Sequence, residues 1–94
     1  LALAGLDLDL GTPIGGADDL NTYMTPGVYY VVSSTNLVNA PSTSLAFSLI
    51  VKRSVQSNRY YQIALMNTAV PAVMLRSYTG SGWSAWRTLA LAST

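Results

Sequence analysis

Three stretches in the second half of the chain leave little choice of fold. "LAFSLIVKRS", "RYYQIALMN" and "AVMLRSYT" are short and apolar, and they are separated by "VQSN" and "TAVP". In the first stretch Leu45, Phe47, Leu49 and Val51 point one way, and Ala46, Ser48 and Lys52 point the other. In the second, Tyr61, Ile63 and Leu65 share a face. A period of two is the spacing of a strand. No apolar stripe persists at a spacing of three and four, so a helical reading fails. "VYYVVSS", Val28 to Ser34, is a further strand by its β-branched and aromatic content. After the "GSG" turn, "SAWRTLAL" closes the series. The expectation is a mainly β chain: an antiparallel meander of about five strands joined by short turns.

The first half reads differently. "GLDLDLG" alternates leucine with aspartate, which suggests an extended segment with one buried face. "GTPIGG" is expected to break any element. Residues 1–16 therefore read as an extended lead-in and hinge, and residues 17–94 as the domain proper. "ADDLNTYMTPG" has room for one short helical turn, with Asp18 or Asp19 as its N-cap and Pro26–Gly27 ending it. "TNLVNAPSTS" is a loop by its Asn, Ser, Thr and Pro content.

Of the 94 residues, 50% are apolar and 10% are charged, where about 25% charged is usual. Apolar surface is then left exposed or covered by a partner, and identical chains are the simplest partner. The net charge is +1 with no Lys/Arg run, which gives no footprint for nucleic acid or an anionic membrane. No segment is long enough to span a bilayer as a helix.

The chemistry available is narrow. Histidine, cysteine and glutamate are missing, which removes thiol and imidazole catalysis and the usual zinc ligands. All four carboxylates lie in the first nineteen residues. Asp18 and Asp19 are adjacent and suit capping better than metal binding. No phosphate-binding loop or dinucleotide fingerprint follows the glycines. The expectation is a chain with no enzyme activity, no metal and no cofactor.

The aromatics are the remaining candidates: six tyrosines, two tryptophans and one phenylalanine. Trp83 and Trp86 are three apart, so on an extended chain they face opposite sides and make no single platform. Trp86 heads the closing strand and reads as core. Trp83 sits on a Gly-rich turn, where edge packing and ligand contact are both open. Arg76 or Arg87 can lie flat on either ring. Trp83, Tyr78, Arg76 and Tyr60 are the candidate contacts for a glycan or receptor.

At these residues the sequence resembles the knob domain of phage tail fibres and R-type pyocin fibres. "DLNTYMTPGVYYV", Asp19 to Val31, looks like the family's opening motif. "NAP", Asn39 to Pro41, resembles its next loop, and Gln62 follows two tyrosines on a middle strand as in the family. Arg76 stands before "GSGWSAWRTL", where Trp-Ser-x-Trp closes the domain. The lead-in "LDLGT" is similar to "LGLGT" segments of fibre shafts. Where the family often has glycines before its second strand, this chain has "LAFSLIV", and "NTAVPA" replaces its usual turn before the arginine strand. Both departures make the outer surface more apolar. The resemblance implies structural roles for Trp86, Pro26, Gly27 and Gln62. It also implies a virion protein of the tail fibre, a homotrimer attached to other fibre segments, acting outside the host during attachment, and no catalysis. Two alternatives stay beside it: a lectin-like module that itself binds bacterial surface polysaccharide, and an accessory domain of a capsule-degrading spike.

Overall fold

A computed structural model of the chain describes residues 9–33, 36–41, 46–68 and 71–89. Six strands form one sheet in sequence order: β1 (Thr12–Pro13), β2 (Gly27–Val31), β3 (Phe47–Arg53), β4 (Tyr60–Met66), β5 (Ala72–Tyr78) and β6 (Arg87–Thr88). From β2 to β6 every neighbour is antiparallel. The mainly β meander is as expected, with one strand more. That strand is β1, which pairs in parallel with β2, Thr12 opposite Tyr29. It lies within the segment expected to break any element. Gly11 makes the approach possible: at φ 86 it runs so close to β2 that an added Cβ would sit 2.3 Å from the Val28 carbonyl oxygen. Ile14, just beyond, is buried in the core.

The one helical turn is a 3₁₀ turn, Leu20–Thr22. Asp19 caps it, accepting a hydrogen bond from the Asn21 backbone N–H at 2.9 Å. Gly27, after Pro26, opens β2. The Leu lead-in before Asp9 and the chain after Leu89 lie outside the described residues, so only Arg87–Thr88 of the closing stretch is assigned to a strand.

One face of the sheet carries the core. Val31 from β2, Phe47, Leu49 and Val51 from β3, and Ala64 and Met66 from β4 meet Ile14, Leu20 and Leu37 from the segments lying over them. On β3 the buried set is the one its alternation indicates. On β4 the face that carries Tyr61, Ile63 and Leu65 is the outer one, and Tyr61 and Leu65 are exposed at 41% and 43%. Gln62, Ala64 and Met66 point inward instead. Register fixes this: Gln62 stands opposite Val51 and Ala64 opposite Leu49, and both partners are buried.

Candidate functional site

Gln62 is fully buried, an unusual place for an amide. The covering 3₁₀ turn explains it. A helical turn ends with carbonyls that have no partner inside the turn, and these must be paired when buried. Gln62 Nε2 donates to the Tyr23 carbonyl (2.9 Å), for which the turn has no donor, and adds a second bond (2.7 Å) to the Leu20 carbonyl, which also accepts the Tyr23 N–H at 3.1 Å. Its Oε1 remains free to accept, and the next strand supplies a donor. Arg76 is the register partner of Gln62, and its Nε donates to that oxygen at 2.9 Å.

Arg76 is 5% exposed. Its guanidinium carbon lies 4.4 Å from the centroid of the Trp83 ring and 4.8 Å from that of Trp86. Both tryptophans of the chain therefore hold the same cation. The opposite-side expectation assumed an extended chain. Residues 84–86 are not in a strand, so the alternation of side chains does not apply between the two indoles. Each ring N–H is anchored to the covering layer: Trp83 Nε1 donates to the Asn21 carbonyl (3.2 Å) and Trp86 Nε1 to the Asn39 carbonyl (2.9 Å). Trp86 also packs, part-buried, against the core. Stacked cations of this kind contribute about 0.5–2 kcal/mol each, more when desolvated.

Asn39 and Asp19 complete the frame. Asn39 takes a left-handed backbone, φ 62, a conformation asparagine tolerates better than most residues. Its Nδ2 donates to Asp19 Oδ1 at 2.8 Å. The bonds from Asn39 and then from the Asn21 backbone hold the Asp19 carboxyl below its usual range. Burial pushes the Arg76 guanidinium down to about 10, opposed by the charge of Asp19. Arg76 is thus still a cation at neutral pH.

Tyr78 and Tyr60 extend the cluster along the sheet. Tyr78 lies 5.4 Å from Trp83 and 6.3 Å from Tyr60 between ring centroids, both tilted. The four candidate contact residues are therefore contiguous, with Arg76 inside and the three rings part-buried around it. A cavity of about 360 Å³ opens beside them, lined in part by Asn21, Asn39, Arg76, Ser84 and the two indoles. Among the described residues no three His, Cys, Asp or Glu side chains come together. The arrangement can hold, position and bind; it contains no paired nucleophile and base.

Asn21 and Asn39 were not singled out as site residues, although both stand in the quoted motifs. Most of their bonds run through backbone atoms, which a side-chain pattern does not reveal. The residues that carry the resemblance, far apart in the chain, meet in this one network.

No protein-family model matches the chain, and no curated protein is recognisably similar to it in sequence. Among solved structures, it is similar to the C-terminal fragment of the P. aeruginosa R1 pyocin fibre, with a TM-score of 0.75 and 23% identity. The match covers 90% of this chain and 22% of that one. The chain spans about a fifth of the fibre fragment it matches, and what the two share is a fold.

Proposed function

We propose that the chain is a non-enzymatic knob module of a phage tail fibre. It works outside the host cell, as part of a virion tail, joined to other fibre segments and assembled as a homotrimer. In that place it presents or forms part of the surface that meets the host during attachment. The observation that carries the reading is the fold, which superimposes on a fibre domain over nearly the whole chain. A sequence without His, Cys or Glu supports the non-enzymatic part. The boundary between lead-in and knob lies at or before Gly11 in this reading, because Ile14 belongs to the core.

Self-association is supported by the outer face of the sheet. Val28, Ile50, Ile63 and Leu75 form a row across four strands by register, and none of them is buried. An apolar row of that length marks a surface suited to a neighbouring chain, and a second copy of this chain is the simplest one. The test combines light scattering with adsorption to candidate host cells. A trimer that adsorbs saturably and slows attachment of the intact phage is the expected result. A folded trimer that does neither would overturn the attachment role and leave a spacer.

A further inference from the structure

The network around Arg76 leaves two buried side-chain atoms without a hydrogen-bond partner: Arg76 Nη2, a donor, and Asn21 Oδ1, an acceptor. Both residues line the same cavity. An unpaired buried polar group costs stability, so both atoms call for a partner. Gln62 is the hydrogen-bond partner of the guanidinium, and Asp19 acts on it through charge only. The cation is therefore held in place by two indoles and an amide while one of its terminal nitrogens stays unused.

The missing partner has a definable chemistry. A bare oxyanion satisfies Arg76 but stands against the lone pairs of Asn21 Oδ1, which needs a donor. A neutral sugar supplies hydroxyls and no charge. The indole faces turned toward the guanidinium are already taken. Arg76 lies over both rings, Tyr78 meets Trp83, and Trp86 packs on the core. A group that carries both a carboxylate and a hydroxyl offers an acceptor to Arg76 Nη2 and a donor to Asn21 Oδ1. The cavity, about 360 Å³, is at the small end of ligand sites, which run from about 300 to 1,000 Å³. That suits one sugar residue.

We infer that this cavity binds an acidic saccharide unit, its carboxylate on Arg76 and a neighbouring hydroxyl on Asn21. The inference rests on the attachment role proposed above and names the ligand class for it. Because Nη2 and Oδ1 are buried, the Trp83–Trp86 segment shifts to admit the ligand, and tryptophan emission reports the shift.

Glucuronate, glucose and acetate are titrated against the whole chain, with tryptophan emission as the readout. Glucuronate is expected to change the emission saturably, with glucose and acetate inert over the same range. Asn21→Ala weakens glucuronate binding roughly two- to tenfold, the weight of one hydrogen bond. It leaves the melting temperature unchanged or raises it, because an orphaned acceptor is removed. Arg76→Lys keeps the charge but not the planar fork and abolishes the response; if that variant does not fold, the Asn21 variant decides. No response to glucuronate in the folded wild type overturns the inference. So does an equal response to acetate or glucose, or an unchanged affinity in Asn21→Ala. Adsorption to cells is scored separately. A wild type that adsorbs but ignores glucuronate overturns this inference and leaves the attachment role standing; binding without adsorption does the reverse.

Discussion

The two faces of the sheet depart from a simple division into apolar inside and polar outside. The covered face contains a fully buried glutamine and a nearly buried arginine. The outer face carries Val28, Ile50, Ile63, Leu65 and Leu75, part-buried or exposed. Each face follows from what lies against it. The covering layer is largely irregular backbone with one 3₁₀ turn, and its carbonyls need donors. Gln62 and Arg76 answer that need. The outer strands have no covering element among the described residues, so their apolar side chains face outward. Burial here is decided by the partner layer's unpaired groups as much as by hydropathy.

Making the covered face more apolar should therefore damage it. Gln62→Leu removes the donors to Leu20 and Tyr23 and the acceptor of Arg76. We expect a loss of about 3–5 kcal/mol in denaturant melts: the Tyr23 carbonyl and the charged Arg76 Nε are left unpaired and the Leu20 carbonyl keeps only the Tyr23 N–H, less the gain from an apolar side chain. A loss under ~1 kcal/mol would show that water or backbone movement repairs the bonds. Trp86→Ala comes next, at about 2–4 kcal/mol. It sits slightly below the usual range for a core tryptophan because the ring is only part-buried. If Trp83→Ala costs as much as Trp86→Ala, the two indoles act as one clamp. If it costs nothing, Trp86 alone holds the cation.

The outer face should behave in the opposite way. Ile63→Lys is expected to cost the isolated chain about 1 kcal/mol or less, because the half-buried Ile63 side chain has little packing to lose on the outer face. If the proposed trimer forms through this face, the same substitution should leave monomers, read by light scattering. A trimer that survives it assembles through some other surface.

The smallest effects concern pH. Asp19 is held below its ordinary value of 3.8 by Asn39 and Asn21. Its contribution is fully present above that value and is lost as pH falls through the lowered one. The urea midpoint should drop on acidification, and less so in Asp19→Asn. At the alkaline end, burial raises Tyr23 and Tyr29 above 10, helped in Tyr23 by its hydrogen bond to Asp18. Their contribution is present below pH 10 and lost as pH rises through the raised values. Tyr29→Phe should soften that alkaline decline.

Strands β3 to β5 were legible because each is a short apolar run bounded by turn residues, and on β3 the period gives the buried set directly. On β4 the period gives two faces without saying which is covered, and the more apolar one is outside. Only the register with Leu49 and Val51 decides it. Thr12–Pro13 was hidden because a two-residue strand has no period to detect. The four candidate contacts lie together in space, since β5 and its turn place Arg76, Tyr78 and Trp83 close together and Tyr60 stands opposite Tyr78. Their roles were hidden because Arg76 is paired by an amide on another strand and both indoles by backbone carbonyls.

The clamp also bears on the speed of folding and unfolding. The hairpins of the meander join neighbouring strands over short loops and close early. The network is different. Its hydrogen bonds join residues 42 apart at Gln62–Leu20, 47 apart at Trp86–Asn39 and 62 apart at Trp83–Asn21. Contacts of such separation carry the largest loop-closure entropy, and they form after the central strands have paired. Interactions absent from the folding transition state act mainly on the unfolding rate. Substitutions at Trp83, Trp86 or Gln62 should therefore leave refolding nearly as fast as before while shortening the lifetime of the native domain. In the attachment role proposed above, outside a cell, that lifetime would matter more than the equilibrium.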